Sequence, residues 1–377
     1  MDFGLNEVGE ILKKSARDFL IAECPKAYVK EMAKDEKGYS PEMWRKMAEL
    51  GWMGLVFPER YGGGEGSFLD LVVLLDEMGR ACLPGPFFST VVLGGMTILD
   101  AGNEEQKKEL LPLIAQGEKV VTLAMIEPDS TYTAESIKMA AVADGDSYTI
   151  SGTKMFVPDA HVADYLICVA RTKKGSTGED GISLFLVDAR LSGITVTVLN
   201  TLAGDKQCEV IFDKVKVPKN SLLGELNHSW TYIQILMQRA ALGKCAEMIG
   251  GAQQVLEMAV DYVKERKQFG RPIGSFQSIQ NYCVQMLTDA ETSRFITYEA
   301  AWKMSQGLPC TAEVAMAKAW VSDAYKRITA LGHQCFGGMA YMEDHDMHLY
   351  LKQAKTAELA YGDADVHREF LAQEIGL

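Results

Sequence analysis

Between residues 265 and 280 the chain reads ERKQFGRPIGSFQSIQ. Arg266 and Arg271 bracket Phe269, Pro272 and Gly274 interrupt the helical rhythm, and Gln277 and Gln280 follow three residues apart. Guanidinium forks match phosphate oxygens two at a time, and glutamine amides add donors and acceptors at the same turn. Read more simply, the arginines are dipole partners at a helix C-terminus. A second stretch, GHQCFGGMAYMEDHDMHLYL, places Gln334 at a helix end, and Gly337-Gly338 leave main-chain N–H groups uncovered. Bare backbone of this kind lets an anionic ligand approach closely. Arginines and glutamines in one turn and open backbone in another suit a diphosphate with an attached ring.

Helical, then β, then helical elements must position these turns. Residues 1–118 read as an N-terminal α-helical domain, with SPEMWRKMAELGWMGL beginning at Ser40 as N-cap, Pro41 at the first helical position and Glu42 in the first turn. Residues 119–224 change texture to short Val-, Ile-, Thr- and Tyr-rich runs between turns, a middle β domain of barrel or sandwich type. Within it, ADGDSYTISG sets Asp-Gly between alternating segments, a hairpin signal. Residues 225–377 return to helical periodicity, with stretches near 228–264, 275–305, 310–332 and 346–360 that suggest a four-helix bundle and a short final helix. The fold class is α+β, mostly α.

Of 377 residues, 51 are acidic and 38 basic, a formal charge of −13, and this balance argues against a duplex nucleic-acid partner. Eight cysteines without a CxxC suit reduced, mostly buried thiols rather than a disulfide frame or a zinc site. The start, MDFGLNEVGEILKKSARDFL, lacks the apolar core of a signal peptide, and no run approaches a membrane span. A cytoplasmic protein is the expectation. Gly62-Gly63-Gly64 follows no strand and precedes no Lys-Ser or Lys-Thr, so it reads as a plain loop. His345 and His348 read as a helix-start pair, and no metal site is expected.

In this order PERYGGGEGS, AMIEP, SGTKMFV, RKQFGRPIGSFQ and QCFGGMAY resemble the acyl-CoA dehydrogenase flavoprotein family over essentially the whole chain. The C-terminal motifs HDMHLYLKQAK and YGDADVHREFLA are similar to short bacterial members, some of them small subunits of heteromeric dehydrogenases. The resemblance implies FAD as cofactor and a three-domain fold of helices, β-barrel or sandwich, and four-helix bundle. It also implies that Arg266, Gln268, Phe269 and Gln277 reach the FAD of a neighbouring subunit around its diphosphate and adenosine part. Gln334 and Gly338 then help hold the same half, Asp363 and Asp365 face it or begin the last helix, and Met125, Ile126, Phe156 and Val157 fall against the isoalloxazine ring. Sharing of this kind implies a tetramer, either of one chain or with a second acyl-CoA dehydrogenase-like subunit.

Family chemistry takes a proton from the carbon beside a thioester while hydride leaves the adjacent carbon, and the proton needs a carboxylate base. Most members carry that glutamate just before a glycine near the C-terminus, where a gapless count places Tyr361 and Gly362. Others carry it on the first bundle helix, where Ala240 stands beside Gln238 and Arg239. Tyrosine, with an ordinary pKa of about 10, is a poor base near neutrality. Glu77, near the expected acyl pocket, reads as a structural helix carboxylate. The loop EPDSTYTAES replaces the usual glycine-rich turn and brings Tyr132 near the expected CoA path. Tyr132, Gln238 and Gly362 are the candidate substrate contacts, and an electron-transfer flavoprotein is the expected acceptor. Three functions follow: an acyl-CoA dehydrogenase with an unusual substrate or partner, a silent structural subunit, or a non-oxidative CoA-thioester lyase or desulfinase.

Overall fold

The computed structural model describes residues 5–128 and 131–377, so the first four residues of the N-terminal segment and Asp129-Ser130 of the EPDSTYTAES loop lie outside the described residues. Two compact units form. One joins the N-terminal segment through Glu31 with Ser67–Leu83 and Ala241–Leu377, and the other takes Met32–Gly66 and Pro84–Ala240.

The first unit is helical: Glu7–Glu23, Phe68–Ala81, Gln277–Ser305, Thr311–Phe336, Met347–Leu359, Ala364–Glu374 and the later part of Trp230–Glu265. The Phe68–Ala81 helix starts on a reciprocal capping box, in which Ser67 and Asp70 each satisfy the other's backbone N–H. Its apolar run Leu71–Leu75 is fully buried. Close crossing against the Trp230–Glu265 helix depends on two glycines. A Cβ at Gly250 would meet the Asp76 carbonyl oxygen at 1.8 Å, and one at Gly79 would meet that of Glu247 at 2.0 Å. Charges flank the crossing: Arg17 grips Glu77 with two hydrogen bonds of 2.9 and 2.7 Å, and Arg80 pairs with Glu257.

In the second unit the expected cap is present. Ser40 Oγ accepts from the N–H groups of Glu42 (3.2 Å) and Met43 (3.4 Å), and Pro41 opens the Pro41–Glu49 helix. Gly62-Gly63-Gly64 is part of a loop closed by the Glu65 N–H on the Phe57 carbonyl at 3.0 Å. The β domain holds strands β1 (Val121–Ala124), β2 (Ala140–Asp144), β3 (Ser147–Pro158), β4 (Tyr165–Arg171), β5 (Ile182–Asp188), β6 (Ile194–Leu199), β7 (Gln207–Pro218) and β8 (Leu222–Leu223). Their order is β6-β7-β3-β2-β4-β5-β8, with β1 parallel to β4. The β2–β3 hairpin pairs Asp144 with Ser147, which centres its turn on Gly145-Asp146, one residue beyond the Asp-Gly step. Tyr148 of β3 lies 5.0 Å from Phe185 of β5, although two strands separate them in hydrogen-bond order. The sheet therefore curls over a shared core that includes Ile150, Leu166, Cys168, Val210 and Phe212.

All eight cysteines are free thiols, and only Cys283 among them is not buried. Among the described residues no helix is long and apolar enough to cross a membrane.

Candidate functional site

Strand β3 builds the first part of the site. It pairs with β7 at Lys154, shifts register, and resumes at Val157, so Met155 and Phe156 together face the single Glu209 and the strand carries one extra residue. Such a bulge re-aims a side chain. Phe156 takes a left-handed φ of 51° and is 57% exposed, while Val157 is buried in the core. The Met155 N–H donates to the Ile126 carbonyl at 2.7 Å. Lys154, wholly buried, donates to the Met125 carbonyl and to Glu127 Oε1, each at 2.8 Å. Glu127 in turn accepts from the N–H groups of Lys138 and Met139 at 3.0–3.1 Å. Met125, Ile126, Phe156 and Val157 are thus brought together in one anchored patch. The side chains of Met125 and Val157 are buried, so Phe156 and the half-buried Ile126 give the patch its open surface. Sequence reading passed over Lys154 and Glu127, the pair that fixes this patch; the Lys in SGTKMFV and the Glu in AMIEP were the available signal.

The arginine-rich turn is a miniature hairpin, in which Lys267–Gln268 pair antiparallel with Arg271–Pro272. Phe269 and Gly270 turn it with φ of 52° and 79°, the pair of left-handed values that a tight two-residue hairpin turn requires. Phe269 stands 91% exposed at the tip, and Arg266, Gln268 and Gln277 are exposed around it. Arg271 is used internally, its guanidinium 4.2 Å from the Phe276 ring centre. Gln277 opens the Gln277–Ser305 helix, which has no side-chain cap, while the N–H groups of Ile279 and Gln280 donate to the Phe276 carbonyl at 3.0 and 3.1 Å. Beside this hairpin lies the second turn. Phe336 stacks on Tyr262 at 4.3 Å, and the Tyr262 hydroxyl reaches Met339 Sδ at 3.7 Å. Gln334, Gly337 and Gly338 are exposed, and a Cβ on either glycine would meet nothing within 4 Å. The bare-backbone turn thus packs on Tyr262, one helical turn before the arginine hairpin.

Tyr361 and Gly362 form a consecutive left-handed pair, with φ of 58° and 94°. Two buried groups hold it. Lys318 Nζ donates to the Gly362 carbonyl at 2.8 Å and the Glu358 carbonyl at 2.9 Å, and His367 Nε2–H donates to the Tyr361 carbonyl at 3.0 Å. Burial pushes the His367 imidazole down to about 4, so it is neutral near pH 7. A Cβ at Gly362 would press on His367 Nε2 at 3.0 Å. Asp363 caps the Ala364–Glu374 helix, accepting from Asp365 N (3.1 Å) and Val366 N (3.0 Å). Asp365 is paired with Arg368 at 2.6 Å. At the other expected base position Ala240 is wholly buried, Gln238 is half-buried, and Arg239 pairs with Asp100. Glu77 is buried in the bidentate grip of Arg17.

Tyr132 is half-buried in the loop before β2, whose carbonyls at Ala134 and Ile137 are held by Arg171 at 2.8 and 2.9 Å. His345 Nδ1 accepts from the Met347 N–H at 3.2 Å, and His348 Nε2–H donates to the Glu343 carbonyl at 3.0 Å, so both serve the start of the Met347–Leu359 helix.

The sequence matches the acyl-CoA dehydrogenase N-terminal domain over residues 6–118, its middle domain over 122–215 and its C-terminal domain over 227–376. It is 31% identical to the acryloyl-CoA reductase (NADH) of Anaerotignum propionicum, across 100% of this chain and 96% of the relative. The caffeyl-CoA reductase-Etf complex subunit CarC of Acetobacterium woodii is also 31% identical, over 96% of this chain and 97% of that one. The solved butyryl-CoA dehydrogenase of Megasphaera elsdenii superimposes with a TM-score of 0.93 at 29% identity, covering 100% of both chains. Matched from its N-terminal helices to its last, the chain belongs to the acyl-CoA dehydrogenase family.

Proposed function

We propose that the chain is an FAD-dependent oxidoreductase acting on a CoA thioester, with Tyr361 where most of the family carries its glutamate base. FAD is the cofactor of this family and supplies hydride chemistry at the carbon next to the one that loses a proton. The residues present fit it. Phe269, Arg266, Gln268 and Gln277 project into solvent beside the open Gly337-Gly338 backbone, and Phe156 stands out from its bulge. The observation that carries the reading is the projecting hairpin: a 91% exposed phenylalanine ringed by a guanidinium and two amides is built to be covered. We assign Arg266, Gln268, Phe269, Gln277, Gln334 and Gly338 to the diphosphate–adenosine half, with Asp363 shaping its turn. Met125, Ile126, Phe156 and Val157 are assigned to the ring half.

Lys318 and Phe336 lie 18 residues apart on one helix, about 27 Å along its axis. The Tyr361 turn and the hairpin corner thus sit toward opposite ends of that helix. This supports the view that one chain serves two cofactors, its own and a neighbour's, in a tetramer. Arg266→Ala is then expected to lower bound FAD and weaken the tetramer together, measured by flavin absorbance and sedimentation. A stable monomer with full FAD would place Arg266 elsewhere.

Tyr132, Gln238 and Gly362 are the proposed thioester contacts. An electron-transfer flavoprotein is the proposed acceptor, a reading supported by the relative named as part of a complex with Etf. With Tyr361 and Ala240 at the two base positions, the purified chain should bleach with butyryl- or octanoyl-CoA about 10²–10⁴ more slowly than a member with a positioned glutamate. Stopped-flow absorbance checks this, and a full-speed bleach would reveal a relocated base. A second reading rests on the same two positions: a silent structural subunit, colourless alone and yellow only with a partner chain. Yellow protein that turns over a thioester without flavin reduction would instead indicate a lyase or desulfinase.

A further inference from the structure

Lys318 sits about two turns into the Thr311–Phe336 helix with none of its surface exposed. Its ammonium has three protons and three recorded acceptors: the Gly362 carbonyl at 2.8 Å, the Glu358 carbonyl at 2.9 Å and Ser322 Oγ at 3.2 Å. All three are neutral. The nearby Glu358 carboxylate is engaged by Lys326 (2.9 Å) and Lys355 (3.0 Å), and the Asp363 carboxylate caps the last helix. A buried ammonium without a bonded carboxylate is costly to keep, and a packed apolar residue usually serves stability better. What Lys318 holds is a strained turn. Tyr361 lies in the left-handed region that bulky residues avoid, and such strain persists only where surrounding groups over-determine it.

We propose that Lys318 is a positioning residue for the reaction: by donating to Gly362, Glu358 and Ser322 together, it fixes the left-handed Tyr361–Gly362 backbone that presents side chain 361 to the CoA thioester. The proposal rests on the acyl-CoA reading above. His367 assists from the other side through the Tyr361 carbonyl, and its Nδ1 has no partner among the described residues.

Protonation makes the clamp testable. Burial lowers Lys318 to about 8, with Lys244 acting in the same direction and Cys245, Asp363 and Glu358 opposing it. The Cys245 thiol is pushed up to about 12 and His367 lies at about 4, so neither titrates near pH 8. Above that pH the amine keeps two donors for three acceptors, and the turn loosens around a lysine that stays buried. Global stability behaves differently. A lysine whose folded pKa is depressed releases its proton more readily folded than unfolded, so raising the pH through 8 does not cost the fold stability through this group.

Hydrogen exchange of the 358–366 peptide in the full chain, corrected for intrinsic exchange between about pH 6.5 and 9.5, follows the turn without substrate. Protection should fall about tenfold near pH 8, as loss of one net hydrogen bond allows, with no matching fall in Tm. Lys318→Met should show low protection at every pH, and Lys318→Arg no step. In a Tyr361→Glu background, flavin bleaching by an acyl-CoA should lose rate above pH 8 at nearly constant KM, and Lys318→Met should abolish that limb. An exchange profile flat in the unmodified chain, or a step surviving Lys318→Met, overturns the proposal. Bleaching without the pH limb also overturns it while leaving the acyl-CoA reading intact. A Lys318-dependent exchange step with no bleaching by any acyl-CoA defeats the acyl-CoA reading, and the positioning role falls with it.

Discussion

Tyr361→Glu should raise the rate of flavin bleaching by at least one simple acyl-CoA by about 10²–10⁴, the usual worth of a positioned general base. The substitution inherits a backbone that is already left-handed, φ 58°, so it adds little strain beyond what tyrosine bears. Lys318 and His367 hold that backbone through carbonyl groups, which do not depend on the side chain. Glutamate is shorter than tyrosine and leaves space for the thioester. A desolvated carboxylate has its pKa raised toward neutrality, which suits proton abstraction. Tyr361→Ala opens the same space without a base and should gain nothing. Anaerobic stopped-flow measurements need no electron acceptor, and equal bleaching by the two variants would show that the base does not belong at this position.

Lys154→Met should destabilise the chain by about 3–5 kcal/mol, the usual cost of removing one partner of a buried ion pair. Glu127 would stay buried without its ammonium, although the backbone donors at Lys138 and Met139 remain, and the Met125 carbonyl would lose its ammonium too. A fall in Tm on the order of 5 °C or more is expected. FAD retention should drop with it, because this ammonium ties the Met125–Glu127 segment to the Phe156 bulge. Glu127→Gln added to Lys154→Met removes the stranded charge and should recover part of the loss. A double-mutant cycle showing no coupling would mean the two groups act independently.

Local rules made the regular elements legible. Ser40-Pro41 announced a helix start, and the long bundle stretches carried enough apolar residues at helical spacing to be found within a few residues of their ends. The family motifs carried the cofactor reading. What stayed hidden were conformations that contradict residue type. Phe269-Gly270 turns a hairpin although phenylalanine is not a turn residue, so Lys267–Gln268 and Arg271–Pro272 read as linker. Tyr361 is left-handed because Lys318 and His367 hold it, and those partners lie 43 residues before and six after it. Lys318 itself, in AMAKAW, looks like any exposed helix lysine until the surrounding helices bury it. Lys154 sits in an alternating strand pattern that gives no hint of a carboxylate waiting 27 residues upstream.

The paired-glycine crossing bears on how the chain is made. Gly79 and Asp76 find their partners at Glu247 and Gly250, about 170 residues later, which a ribosome takes roughly 10–30 s to add. Through that interval the Phe68–Ala81 helix has left the ribosome, but its partner segment does not yet exist. Its run from Leu71 to Leu75, completely covered in the finished fold, is an exposed hydrophobic surface on the nascent polypeptide, the kind of segment that chaperones shield until synthesis is complete.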